Sequence, residues 1–263
     1  MANFSNHDDA KKFVDFAHSK GVEAFMTLNN TPLVESEEEI EAEIAAAIAV
    51  GPDALIVKDP LIAGIIRRLS PDIAIHCSSL NQVLNADAVS YWVENYGINR
   101  MIMPRNVAFE EVRVLAKKFP DLEFEIFIKN DWCYDTDGVC SSLHLEGLKE
   151  GIPYVCNREA AYVGEDAEYQ KSFHSYRAAE SDCKACSVKL FEDVPNVVSL
   201  KIVGREKGAN ILKKDIAFLK KVIEYSELAT DVAELTEFGS ALHEKMLGIP
   251  CAKTRCEVYR NAR

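Results

Sequence analysis

The chain has 263 residues, 48% of them hydrophobic, and carries 30 basic against 42 acidic residues for a net charge of −12. That is enough material for one large domain with a substantial core, while so acidic a balance argues against direct binding of nucleic acid or of an anionic membrane. No apolar run approaches the roughly 20 residues needed to cross a bilayer, and "MANFSNHDDAKKF" lacks the basic start and apolar middle of a signal peptide, so a cytoplasmic setting is expected.

In chain order, Ser5 is positioned to cap a first helix whose Ala10, Phe13, Val14 and Ala17 share a face until Gly21. The apolar run "VEAFMTLN" then reads as a strand ending at Asn29. Ser36 and Glu39 have capping-box spacing ahead of "SEEEIEAEIAAAIAV", where Ile40, Ile44, Ala47 and Ile48 share a face before Gly51. Further strands are expected in "DALIVKD" ending at Asp59, "DIAIHCS" at Ser78, "NRMIMPR" at Arg105, "LEFEIFIK" at Lys129 and "VVSLKIVGR" at Arg205. The last precedes the helix "ILKKDIAFLKKVIEYS".

Short apolar strands alternating with helices indicate an α/β chain of parallel βα units. Their close spacing favours a parallel βα (TIM-like) barrel over a doubly wound sheet. Only six strands are legible where a closed barrel needs eight, so the barrel is expected to be incomplete. The expected organisation is a single βα-barrel domain over 1–263, a cysteine-rich insertion at 133–196 and a C-terminal tail at 236–263.

Polar residues gather at the strand ends: Asn29, Lys58, Asp59, His76, Ser78, Ser79, Arg105, Lys129 and Lys201. In a βα barrel that is the face on which sites are built. Lys58, His76, Arg105, Lys129 and Lys201 together would make a cationic ring on an acidic protein, suited to a small anionic substrate. Ordinary solvent exposure of strand ends is the simpler account of any one of them.

Eight cysteines in a reducing compartment point to metal or redox work rather than disulfides. Cys133, Cys140 and Cys156 are separated by six and fifteen residues, Cys183 and Cys186 follow in "SDCKACSVKLF", and Cys251 and Cys256 sit in the tail. A set of thiols without paired histidines suits zinc or an iron–sulfur centre, although the spacing is neither a ferredoxin run nor a zinc knuckle. Cys77 lies inside a strand pattern and reads as a small core residue. His76 and Cys77 are neighbours, but adjacent strand residues point to opposite faces, so they do not read as a Cys–His catalytic pair. Neither Gly-x-Ser-x-Gly nor His-Glu-x-x-His is present.

The segments "NFSNHDDAKKFVDFAHSKGVEAFMTLN", "DALIVKDP", "IHCSSLNQVLNADAVSYW", "RMIMPRNVAFEEV", "EFEIFI…C…GVCSS" and "SLKIVGREK" occur in an order that resembles the collagenase-like peptidases of peptidase family U32. The resemblance covers nearly the whole chain up to about Tyr225. It implies two βα units ahead of the "NFS" helix, so that either the chain begins internally or a partner completes the barrel. It also implies one of two activities: peptidase, or oxygen-independent hydroxylation of a quinone precursor or of RNA nucleobases by members that bind a [4Fe–4S] cluster. By the same resemblance Cys133, Cys140, Cys156 and Cys186 would be the cluster ligands, with Cys183 the alternate fourth; His76, Arg105, Lys129 and Lys201, each closing or nearly closing a strand, are expected to line one cavity beside it. The chain departs from the family pattern at Pro104, Arg105 and Asn106, where Ala-Arg-Glu is usual. It departs again where the strand ends in Lys129 and Asn130 and His-Gly is usual, and at Val203, where Glu is usual. A non-catalytic accessory subunit paired with a related U32 chain is therefore a further expectation.

Overall fold

A computed structural model describes residues 6–29, 36–129, 183–203 and 208–251, with the single positions 138 and 258. The elements run α1 (His7–His18), β1 (Phe25–Leu28), α2 (Glu37–Ala49), β2 (Ala54–Val57), α3 (Pro60–Leu69), β3 (Ala74–Cys77), α4 (Ala86–Tyr96), β4 (Arg100–Ile102), α5 (Phe109–Lys118) and β5 (Glu123–Lys129). After them come a 3₁₀ stretch at Ala185–Phe191, β6 (Val197–Ile202), α6 (Ala209–Ser226) and α7 (Val232–Leu247). The six strands form one sheet in the order β1-β2-β3-β4-β5-β6, with β1 and β6 as its end strands. The pairings from β1 to β4 are parallel and in consecutive register. This is the βα alternation expected from the apolar runs.

Capping explains where the elements begin and stop. The N-cap of α1 is Asn6 rather than Ser5, because the Asn6 carboxamide oxygen accepts the Asp9 N–H at 2.8 Å. α2 opens on the expected box: Ser36 Oγ accepts from the Glu39 N–H at 3.2 Å, and Glu39 Oε2 from the Ser36 N–H at 2.8 Å. Five strands stop one to three residues short of the polar residue assigned to their ends, and two of those residues already serve the next element. Asp59 caps α3 through the Leu61 N–H at 2.9 Å, and Ser78 caps a 3₁₀ turn at Ser79–Asn81 through Leu80. The boundary set at residue 236 falls inside α7, whose Leu235, Thr236, Gly239, Ser240 and His243 are all buried. Those side chains belong to a packed helix, not to a tail.

Two compact units result: among the described residues one holds 6–29, 36–107 and 115–124, the other 108–114, 125–129, 183–203 and 208–251. In the first, α1 packs Ala10, Val14 and Ala17 with Ala24 and Val50 against Met26 of β1. In the second, Phe218, Leu219 and Val222 of α6 and Leu235 of α7 are buried, and Tyr225 stacks on Phe238 at 3.9 Å. No helix among the described residues is long and apolar enough to cross a membrane.

Candidate functional site

Strand alternation sorts the first unit into two faces. Met26 turns toward α1, whereas its neighbour Phe25 turns the other way and meets the His76 ring edge-on at 4.7 Å. His76 pairs in register with Arg100, whose guanidinium lies 5.4 Å over the same Phe25 ring. Arg100 in turn donates through Nε (2.8 Å) and Nη2 (2.7 Å) to Glu123 Oε2. Phe25, His76, Arg100 and Glu123 thus form a charged and aromatic patch on the face away from α1, and His76 is buried within it. The sequence reading picked out His76 alone. The signal for Arg100 was an arginine directly ahead of the apolar "MIM", in phase with His76.

At the ends of these strands Asn29 donates to Ser78 Oγ at 3.1 Å, and Asn81 donates to the Val57 carbonyl at 3.1 Å and to Cys77 Sγ at 3.2 Å. Cys77 is fully buried, and burial pushes its thiol up to about 12. A thiol held neutral is a core residue and not a nucleophile. Arg105 stands partly exposed just past β4. Gly138 adopts a φ of +80°, and a Cβ there would collide with the Leu80 carbonyl. Only glycine allows that approach, which brings a point two residues ahead of Cys140 against the end of β3.

The second unit places Lys129 and Lys201 against acids. Lys201 Nζ is 2.6 Å from Glu125 Oε1, and Ser199 Oγ donates to Glu125 Oε2 at 2.8 Å. Lys129 is buried with its Nζ 3.7 Å from Asp215 Oδ1, also buried. Neither lysine is the open cation that a ring for an anion requires, since each positive charge has a carboxylate beside it. Glu125 and Asp215 escaped the sequence reading for a simple reason. "LEFEIFI" looks like an apolar strand and "ILKKDIAFLKK" like a solvated helix face. His243 of α7 lies close by in sequence pattern to Gly239 and is buried, with Nδ1 2.8 Å from the Ile249 carbonyl and its ring edge-on to Phe218 at 5.3 Å.

Of the cysteines assigned as ligands, Cys133, Cys140 and Cys156 lie outside the described residues, as does most of the 133–196 insertion. Cys183 forms an antiparallel bridge with Lys129 at the end of β5, secured by the Lys184 N–H to the Ile128 carbonyl at 2.8 Å. Cys186 sits in the 3₁₀ stretch with Sγ 3.7 Å from the Leu235 carbonyl of α7. Both thiols are half-buried, soft donors of the type that iron–sulfur and zinc centres take.

The description "Peptidase family U32" belongs to the family model that matches residues 1–248. The chain is 27% identical over 220 residues to tRNA hydroxylation protein P1 of Bacillus subtilis, covering 80% of this chain and 52% of that protein. It is 28% identical over 138 residues to tRNA hydroxylation protein P of Escherichia coli, covering 52% and 30%. It is 24% identical over 226 residues to the 23S rRNA 5-hydroxycytidine C2501 synthase of Escherichia coli, covering 82% and 33%. The chain therefore spans about half the length of the first of these relatives and about a third of the other two. A solved U32 peptidase aligns over 49% of this chain and 55% of its own at a TM-score of 0.41 and 14% identity, a likeness too distant to bear on the fold.

Proposed function

The chain belongs to peptidase family U32, and from that premise we propose that it serves in the oxygen-independent hydroxylation of a base in transfer or ribosomal RNA. One observation carries this reading: two relatives named for RNA hydroxylation each align over about four fifths of the chain, at 80% and 82%. The proposed cofactor is a [4Fe–4S] cluster held by Cys133, Cys140, Cys156 and Cys186, with Cys183 as the alternate fourth ligand. The half-buried thiols of Cys183 and Cys186 are donors of the right chemistry. When bound, such a cluster supplies one-electron transfer.

The substrate-side roles proposed for the remaining residues follow from their surroundings. His76, fixed by the edge of Phe25, would present an oriented imidazole to the base. Arg105 would meet a phosphate. Lys201 and Lys129, balanced by Glu125 and Asp215, would act as positioned hydrogen-bond donors whose ammonium groups do not attract an anion by net charge. The peptidase reading has support from the family's label alone, and a Cys77 thiol held near 12 is a poor nucleophile for it. The accessory-subunit reading draws on Asn106, which stands where the family usually carries Glu, and on Lys129 and Asn130, where the family's usual His-Gly is missing. A related U32 chain would be its partner.

The test is expression in a bacterial strain stripped of its own RNA-hydroxylating U32 proteins. Nucleoside mass spectrometry should find a base heavier by one oxygen atom with the wild-type chain and lose it with Cys140→Ser. Anaerobically purified protein should contain iron and sulfide. Zinc without sulfide would replace the redox reading by a structural metal site. Hydroxylation appearing only when a related chain copurifies would favour the accessory role.

A further inference from the structure

The net charge of −12 is an average, and α6 departs from it. Four of its lysines, Lys213, Lys214, Lys220 and Lys221, are exposed, and none of them makes a salt bridge among the described residues. Several cations elsewhere among the described residues are paired: Lys11 with Asp15, Lys12 with Asp9, Arg68 with Glu37 and Glu41, and Arg113 with Glu110 and Asp193. Of the two acids in α6, Asp215 is buried and pairs with Lys129 instead. Glu224 is exposed one turn after Lys220 and Lys221, so the four lysines outnumber the acid on this face.

The four lysines form two pairs seven residues apart, about 10 Å along the helix axis, which puts the pairs on separate phosphates of a nucleic-acid backbone. Ile216 and Ile223 are 44% and 38% exposed and interleave with them at the same seven-residue spacing. The helix begins at Gly208 with no side-chain cap and no acid in its first turn, so its N-terminal N–H groups add to the positive field. The main apolar face of the helix, Phe218, Leu219 and Val222, is already buried in the unit. What remains outside from 213 to 223 is lysine broken by Ile216, Ala217 and Ile223, a surface for phosphates with apolar contacts between them rather than a continuous face for lipid.

We propose that the exposed face of α6 docks the phosphate backbone of the RNA substrate, with Lys213, Lys214, Lys220 and Lys221 as its phosphate contacts. The assignment of RNA as the occupant rests on the hydroxylation reading above. It reverses, for this one face, the exclusion drawn from net charge.

The test measures fluorescence anisotropy of a labelled tRNA transcript with the full chain over about 50 to 200 mM salt. The comparison is with a variant carrying Lys213→Gln, Lys214→Gln, Lys220→Gln and Lys221→Gln. Each lost phosphate contact removes about 0.7–0.9 from the slope of log K against log salt, so the fourfold variant should lose roughly three units and bind at least ~10-fold more weakly near physiological salt. A fourfold Lys→Arg variant should keep both affinity and slope, and Lys11→Gln with Lys12→Gln should change neither. Unaltered binding by the fourfold Gln variant overturns the surface, as does wild-type protein that binds phosphatidylserine vesicles but no tRNA. The mass-spectrometric assay is scored separately: hydroxylation restored by wild type and equally by the Gln variant rejects the α6 face and keeps the RNA reading. Absence of hydroxylation together with slope loss in the variant keeps the face and rejects the activity.

Discussion

Glu125 is a carboxylate 4% exposed in the middle of an apolar strand, held by Ser199 and Lys201. A buried charge of this kind is tolerated because its partners replace the water it has lost. Removing one partner should therefore cost more than the ion pair itself contributes. Lys201→Met is expected to destabilise the protein by about 2–3 kcal/mol in urea unfolding, since it strands Glu125. Glu125→Leu combined with Lys201→Met should recover most of that loss, because no unpaired charge then remains. Equal losses in the single and double variants would show that the pair stabilises directly. At this scale the sequence was a poor guide, because a partner distant in sequence leaves no mark on the residue it neutralises. Lys129 and Lys201 looked like open cations only while Asp215 and Glu125 could not be seen beside them.

Among elements, α7 shows how packing overrides propensity. Gly239 lies mid-helix, where alanine would ordinarily gain about 1 kcal/mol. A Cβ at 239, however, would stand 2.7 Å from Cys186 Sγ, closer than carbon and sulfur can approach without displacement. Gly239→Ala is thus expected to lower stability of the metal-free protein by about 1–2 kcal/mol. Gly239→Ala with Cys186→Ala should instead regain the helix-propensity benefit over Cys186→Ala alone. If Gly239→Ala by itself raises the melting temperature, the contact between Cys186 and α7 is not a constraint. The element scale was also where the sequence spoke most clearly. The Ser36–Glu39 box and the apolar runs of β2, β3 and β5 are local codes, readable because capping and alternation depend on residues a few positions apart.

For the molecule as a whole, three perturbed groups pull stability in the same direction with pH. Burial holds the His243 imidazole below its ordinary value of 6.5, with Lys129 adding to the effect. The Ala24 N–H and then His18 hold Asp53 below its ordinary value, and Thr230 with Tyr225 does the same for Glu234. A group whose folded-state pKa lies below its unfolded one binds protons better when unfolded. Its contribution is present above the unfolded value and is lost as pH falls through the folded one. The melting temperature should accordingly fall from neutrality downward, first from below about 6.5 as His243 is forced to charge, then below about 4 as the carboxylates protonate. His243→Asn, whose amide can still donate to the Ile249 carbonyl, should flatten the first stage and leave the second. An unchanged decline between neutral and mildly acidic pH would mean that His243 is not the group responsible.

The α/β class, the six strands and their parallel βα order followed from the sequence alone, because the burial of a strand or helix face is written in the period of its apolar residues. So did Cys77 as a core thiol and His76 as a residue of the strand-end region. Tertiary structure alone decided which charges are open and which are balanced, since that depends on pairs such as Lys129 with Asp215 and Arg100 with Glu123 that the chain brings together across tens of residues. It also decided that Lys213, Lys214, Lys220 and Lys221 of an acidic chain all lie exposed on α6. Composition sums charge over the whole molecule, whereas a partner meets only the charge that folding leaves exposed on one face.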